Sequence, residues 1–135
     1  MDNTNIHLSE IAVRYAETDA MGFVYYGNYL TWFEVARCEA LAAMGHPYAE
    51  MEKQNIFIPV LSAEIQYKKP AKFGDIIKIE SLRYRLGRVR IQFNYRVLKG
   101  DELLTTGKTV HAFMNSAGRA IRPPEEILEF FPEQG

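Results

Sequence analysis

Cysteine is nearly absent from this chain. Cys38 is the only one in 135 residues, so no disulfide can form within it and no cysteine-based metal knuckle can be built. A lone thiol fits a reducing compartment, and cytoplasmic residence is the expectation. Histidine is also scarce: His7, His46 and His111 lie far apart without the close spacing of metal-ligand pairs, and no metal or other cofactor is expected. No apolar run approaches the roughly 18 residues that a membrane helix needs. The opening Met-Asp-Asn-Thr-Asn has neither the basic start nor the apolar stretch of an export signal. Net charge is lacking too. Lys and Arg number 16 against 17 Asp and Glu, a net charge of -1, so nothing draws the whole molecule to nucleic acid or an anionic membrane.

What is present is an ordinary globular composition with 13% aromatics, including eight Tyr and eight Phe. A chain this short has room for one core, and residues 1–135 are read as a single domain. Residues 6 to 15 read as a strand. The best helix candidate is Tyr29 to Met44, closed by Gly45 with Pro47 beyond and opened by Asn28 as a plausible N-cap. Tyr29, Phe33, Ala36, Ala40 and Met44 form one stripe, and Ala36, Ala40 and Ala43 permit close packing on a sheet. A short helix near Tyr48 to Gln54 precedes strands at Ile56 to Tyr67, Asp75 to Leu86, Val89 to Leu98 and Leu103 to Met114. The second and third of these meet at the Leu86-Gly87-Arg88 turn. Pro59 makes the start of the Ile56 strand irregular, Gly107 marks a bulge or a close helix approach, and an amphipathic tail spans Glu125 to Phe131. The order predicts an α+β fold, an antiparallel sheet wrapped around one long central helix. One helix covers one face, so an edge or the outer face must meet something else, and homodimerisation is the simplest answer.

Between strand and helix lies an aromatic-rich loop, Ala16 to Asn28, holding one Asp, Asp19, three residues before Gly22. The helix start that follows offers N–H groups without intrahelical acceptors and a partial positive charge of about half an electron. An acid beside such an oxyanion site suffices for a minimal hydrolase. The helix-start amides hold the carbonyl oxygen of an ester or thioester, and Asp19 either attacks it or deprotonates a water that does. The scheme suits a leaving group that needs no protonation, such as a thiolate. Asp19 could equally serve only as an Asx-turn residue.

The run Tyr15-Ala-Glu-Thr-Asp19-Ala-Met-Gly22-Phe-Val24-Tyr-Tyr26-Gly-Asn28-Tyr29 resembles the active-site segment of hotdog-fold acyl-CoA thioesterases. The likeness is to the 4-hydroxybenzoyl-CoA thioesterase type, including relatives associated with the bacterial Tol-Pal system. The resemblance implies a hotdog fold, hydrolysis of an acyl-CoA to free acid and CoA, Asp19 as the catalytic carboxylate, and the Tyr26 backbone amide as the carbonyl-polarising donor. Gly22, Val24, Tyr25, Asn28, Tyr29 and Phe33 then belong to the substrate site. Val24, Tyr25, Tyr29, Phe33 and the Ile56 to Leu61 strand are expected to line the acyl tunnel. Tol-Pal relatives usually carry His where this chain has Tyr26, whereas the aromatic-CoA enzyme has Tyr.

Arg83, Arg85, Arg88 and Arg90 cluster about the hairpin turn, Lys68, Lys69 and Lys72 surround Pro70, and both clusters suit CoA phosphates. The resemblance implies that the nucleotide lies near a subunit boundary of a homodimer or homotetramer. Glu34 is a rival acid, since a second branch of these thioesterases places its carboxylate mid-helix; the plainer expectation is an exposed pair with Arg37. Glu17 and Thr18 are expected either to support the site residues from behind or to be turn residues. A hydratase needs a His in the loop, and none is there. A noncatalytic acyl-CoA sensor of the same fold is the alternative function.

Overall fold

The computed structural model describes residues 5–134; Met1–Thr4, where the export signal was sought, lie outside it. Five strands, β1 (Ile6–Ala12), β2 (Val60–Tyr67), β3 (Ile76–Leu86), β4 (Arg90–Lys99) and β5 (Glu102–His111), form one antiparallel sheet in the order β1-β3-β4-β5-β2. A 16-residue helix, α1 (Asn28–Ala43), packs on one face. Short helices α2 (Tyr48–Lys53) and α3 (Glu125–Leu128) close its far end and the tail.

Alternation explains the sheet. Ile91, Phe93, Tyr95 and Val97 of β4 turn inward and are essentially inaccessible, while Asn94 and Arg96 turn outward. Each large apolar side chain so buried contributes about 1.5–3 kcal/mol. Against them α1 buries Tyr29, Trp32, Phe33, Ala36, Ala40 and Leu41. The Phe33 ring stacks on Tyr95 with centroids 4.1 Å apart. Gly107 is required here: a Cβ on it would stand 2.4 Å from the Phe33 ring, so its signal is a close helix approach.

Several boundaries differ from expectation. The first strand stops at Ala12, because the chain bends through a 3-10 turn at Tyr15–Glu17. The strand expected from Ile56 begins at Val60: Pro59 has no N–H for a ladder, and Phe57 instead pairs alone with Met114. Ala43 is exposed on the helix back. Asn28 does not cap α1; it is the first helical residue, and its Nδ2 donates to the Glu17 carbonyl at 2.7 Å. Glu34 and Arg37 form no ion pair. Arg37 donates instead to the Tyr95 hydroxyl at 3.1 Å.

The two edges of the sheet differ. At the β2 edge every residue but Ile65 is exposed, and Val60, Leu61 and Tyr67 each keep about half their surface. No described helix is long and apolar enough to cross a membrane.

Candidate active site

The loop between β1 and α1 is tied from within. The Gly22 amide donates to the Asp19 carbonyl at 3.0 Å, the Asp19 amide to the Phe23 carbonyl at 2.7 Å, and Gly22 takes a φ of +82° that favours glycine. Asp19 Oδ1 accepts the Met21 amide at 2.8 Å and the Phe23 amide at 3.2 Å. The Asx-turn role is therefore real. It occupies one carboxylate oxygen and leaves Oδ2 without a protein donor among the described residues, on an exposed side chain.

Glu17, two residues earlier, has the opposite environment. It is buried, and its carboxylate accepts the Trp32 indole N–H at 2.7 Å, the Arg14 amide at 2.8 Å and the Arg14 guanidinium at 3.5 Å. Burial disfavours its charge, but these donors outweigh burial and hold the carboxyl below its usual range. Its carbonyl accepts the Tyr25 amide at 2.9 Å besides the Asn28 side chain. Glu17 thus clamps the loop onto the first turns of α1. Thr18 is a turn residue as expected, its hydroxyl donating to the Tyr15 carbonyl at 2.7 Å.

That clamp shapes the helix start. The Asn28 amide donates to the Tyr25 carbonyl and the Tyr29 amide to the Tyr26 carbonyl, whereas the amides of Tyr26 and Gly27 have no protein acceptor among the described residues. Two successive donors are thereby left free at the helix start, an arrangement chemically able to accept an oxyanion. Beside them opens a cleft of about 310 Å³ lined by Asp19, Val24, Tyr26, Tyr29, Tyr67, Lys68, Lys69 and Pro70. Burial raises the pKa of the Tyr29 phenol, which stays a neutral wall.

The structure brings Asp19, Val24, Tyr26 and Tyr29 together and separates the other candidates. Phe33 is wholly buried against Tyr95 and does not reach the cleft. Tyr25 stacks outside it on Tyr26, with centroids 4.5 Å apart. Ile58, Pro59 and Val60 line a separate cavity with Glu34, Arg37 and Cys38. Gly22 and Asn28 shape the loop rather than the wall.

None of the four arginines lines the cleft. β3 has 11 residues and runs away from the site, placing the hairpin roughly 33 Å off at about 3.3 Å per residue. Arg83 Nε donates to the Phe130 carbonyl at 2.9 Å; Arg85 donates to Phe131 at 2.9 Å and Leu128 at 2.8 Å. Both staple the tail to the sheet. Arg88 and Arg90 are exposed and unpaired among the described residues. Nearer the site, Lys69 pairs with Glu102 at 2.8 Å and Lys68 has no ion-pair partner among the described residues. Sequence reasoning misses Tyr67 and the Glu17–Trp32 contact, whereas the basic run around Pro70 singles out Lys68 and Lys69.

Residues 13–131 match the thioesterase-like superfamily. A 1,4-dihydroxy-2-naphthoyl-CoA hydrolase of Synechococcus elongatus is 31% identical over 119 residues, covering 87% of this chain and 88% of that protein. The DHNA-CoA thioesterase structure from Staphylococcus aureus superposes with a TM-score of 0.82 at 39% identity, covering 87% of this chain and 80% of that one. The 4-hydroxybenzoyl-CoA thioesterase of Pseudomonas shares the fold at a TM-score of 0.83 and 21% identity, covering 93% and 99%. With its sheet wrapped on one helix and its loop acid beside free helix-start amides, the chain belongs to the thioesterase-like superfamily and has the hotdog fold.

Proposed function

We propose that the protein hydrolyses an acyl-CoA thioester, with an aromatic acyl group as the substrate class to try first. The observation that carries this reading is one cleft lined by both Asp19, which keeps a free carboxylate oxygen, and Tyr26, at which two successive amides, its own and that of Gly27, have no protein acceptor among the described residues. The thioester carbonyl oxygen sits on those amides. Asp19 Oδ2 either attacks the carbonyl carbon or takes a proton from the water that does. The C–S bond then breaks and CoA leaves as a thiolate that recovers a proton. The water route releases the acid directly, while direct attack leaves an acyl anhydride on Asp19 that water then hydrolyses to the acid and the free carboxylate. Each oxyanion donor is worth on the order of 10²- to 10³-fold in rate. The aromatic class is favoured by the Tyr26, Tyr29 and Tyr67 walls and by the substrates named for relatives above 30% identity. Tyr26 in place of the usual His points the same way and away from the Tol-Pal branch. Lys68, which borders the cleft and has no ion-pair partner among the described residues, is the cation we propose for a CoA phosphate.

The test is Asp19→Asn, which keeps an acceptor for the Met21 and Phe23 amides. Turnover of the best acyl-CoA falls at least about 10²-fold while the fold is retained. The sensor alternative draws on the structural use of Asp19 Oδ1; tight acyl-CoA binding without thiol release from wild type would establish it and end the enzymatic reading.

A second copy is the partner that fits the exposed β2 edge. Beside β2 lies an open trough of about 300 Å³ lined by Leu30, Thr31, Glu34, Val60 and Ala63, which pairing across β2 would cover. Light scattering of wild type should give a dimer or a multiple of it. Replacing Ser62, which is exposed on that edge strand, by Pro lowers the mass; a monomeric wild type rejects the pairing.

A further inference from the structure

We infer that Tyr67 is a positioning residue for the oxyanion-binding peptide, an assignment that rests on the thioesterase reading above. Tyr67 ends β2, and its hydroxyl donates to the Tyr26 carbonyl at 3.1 Å. The same carbonyl receives the Tyr29 amide only at 3.3 Å, so the phenol supplies the shorter contact. This carbonyl belongs to the peptide unit whose other end is the Gly27 N–H. The unit is planar and trans, so the two groups point in opposite directions and turning one turns the other. A hydrogen bond accepted at the carbonyl also polarises the N–H, in the sense that strengthens a bond to an oxyanion.

The surroundings make the phenol a fixed donor. Its ring meets Tyr29 edge-on at 5.3 Å and Tyr26 at 6.3 Å, contacts that do not involve the hydroxyl. Burial, with Tyr29 and Tyr26 nearby, raises its pKa, so the proton stays on. On its other side the same peptide is crowded by Tyr25, whose ring carbon lies 2.9 Å from where a Gly27 Cβ would be. Glycine at 27 therefore leaves room for the Tyr25 ring beside this peptide. The thioester need not touch the Tyr67 hydroxyl for the residue to matter; it acts through Gly27.

Tyr67→Phe removes the hydroxyl and keeps the ring. Its kcat on the best acyl-CoA falls roughly 3- to 10-fold, the worth of one hydrogen bond, with KM and thermal midpoint unmoved. A second readout uses a ketone analogue of that acyl-CoA, with methylene in place of sulfur. Its bound carbonyl stretch lies at lower frequency in wild type than in Tyr67→Phe. Tyr67→Leu, lacking the ring, also raises KM and lowers the midpoint. Unchanged kcat and an unchanged stretch in Tyr67→Phe, with wild type active, overturn the Tyr67 role alone. A wild type that releases no thiol from any acyl-CoA overturns the thioesterase reading and this inference with it.

Discussion

The two ends of the sheet treat their polar groups differently. At the hairpin end, Arg83 and Arg85 turn inward and are used up on the carbonyls of Leu128, Phe130 and Phe131. At the loop end, one Asp19 oxygen, two backbone amides and the Lys68 ammonium are left without partners among the described residues. A group already bonded holds the fold together; a group held rigid yet unbonded is available to a ligand. The contrast recurs within three residues, where Glu17 binds Trp32 and Arg14 and Asp19 keeps an oxygen free. The largest effect should come from breaking the open member: Asp19→Asn costs at least about 10²-fold in turnover and little stability.

Breaking the closed member should do the reverse first. Glu17→Ala leaves the Trp32 indole N–H buried without an acceptor and unties the loop from α1, at a cost of about 3 kcal/mol by denaturant titration. The Glu17 pKa is lowered in the fold, so its contribution is present above the ordinary carboxylate range and is lost as pH falls below it. If Glu17→Ala melted like wild type and lost turnover as fully as Asp19→Asn, Glu17 would belong to the chemistry instead.

These two acids also mark how far the sequence reaches. Periodicity located α1 and four strands to within a few residues, because apolar spacing reports directly on the face that is buried. Asp19, Tyr26 and the helix start were legible because the site is local, built from a dozen consecutive residues. Glu17 could be read as a turn residue or as a support for the site, and no nearer, because its partner Trp32 is 15 positions away. Tyr67 was illegible for a similar reason, since its acceptor lies 41 residues off. Clustering in sequence suggests one surface patch of four arginines, of which Arg88 and Arg90 are exposed and Arg83 and Arg85 turn inward. Strand parity held the corrective signal: Arg83 and Arg85 alternate in phase with Ile77 and Ile79, on the buried face.

His111 tests whether a buried group can be left incomplete without a role at the cleft. Its Nε2 lies 2.8 Å from the Thr109 hydroxyl, and its Nδ1 faces the Ile58 and Pro59 carbonyls without closing a hydrogen bond. Burial first, and Arg37 second, push its pKa down to about 3. The unfolded chain binds a proton there near pH 6.5, and the native one does not. Stability is therefore full above about pH 6.5 and falls by about 1.4 kcal/mol per pH unit below it, about 2 kcal/mol by pH 5. His111→Gln removes this slope from pH-resolved denaturant titrations; equal slopes in both proteins would mean that His111 charges in the fold.

The smallest effect decides which end of the molecule meets the nucleotide. Among the described residues Lys68 borders the cleft and has no ion-pair partner, whereas Arg88 and Arg90 are equally free but lie about one strand length away. An exposed cation meeting a phosphate contributes little in water, on the order of 0.2–1 kcal/mol, and salt screens it. Lys68→Ala accordingly raises KM for acyl-CoA only about 3-fold. It leaves KM unchanged for a small thioester of the same acid that lacks the nucleotide, and 0.5 M salt, on the order used to screen surface charge, erases the difference. Replacing Arg88 and Arg90 together by Ala moves neither substrate. If the arginine pair raised KM selectively for the CoA ester and Lys68→Ala did not, the hairpin of a neighbouring copy would hold the phosphates, and the open end of one protomer would be completed by the hairpin end of another.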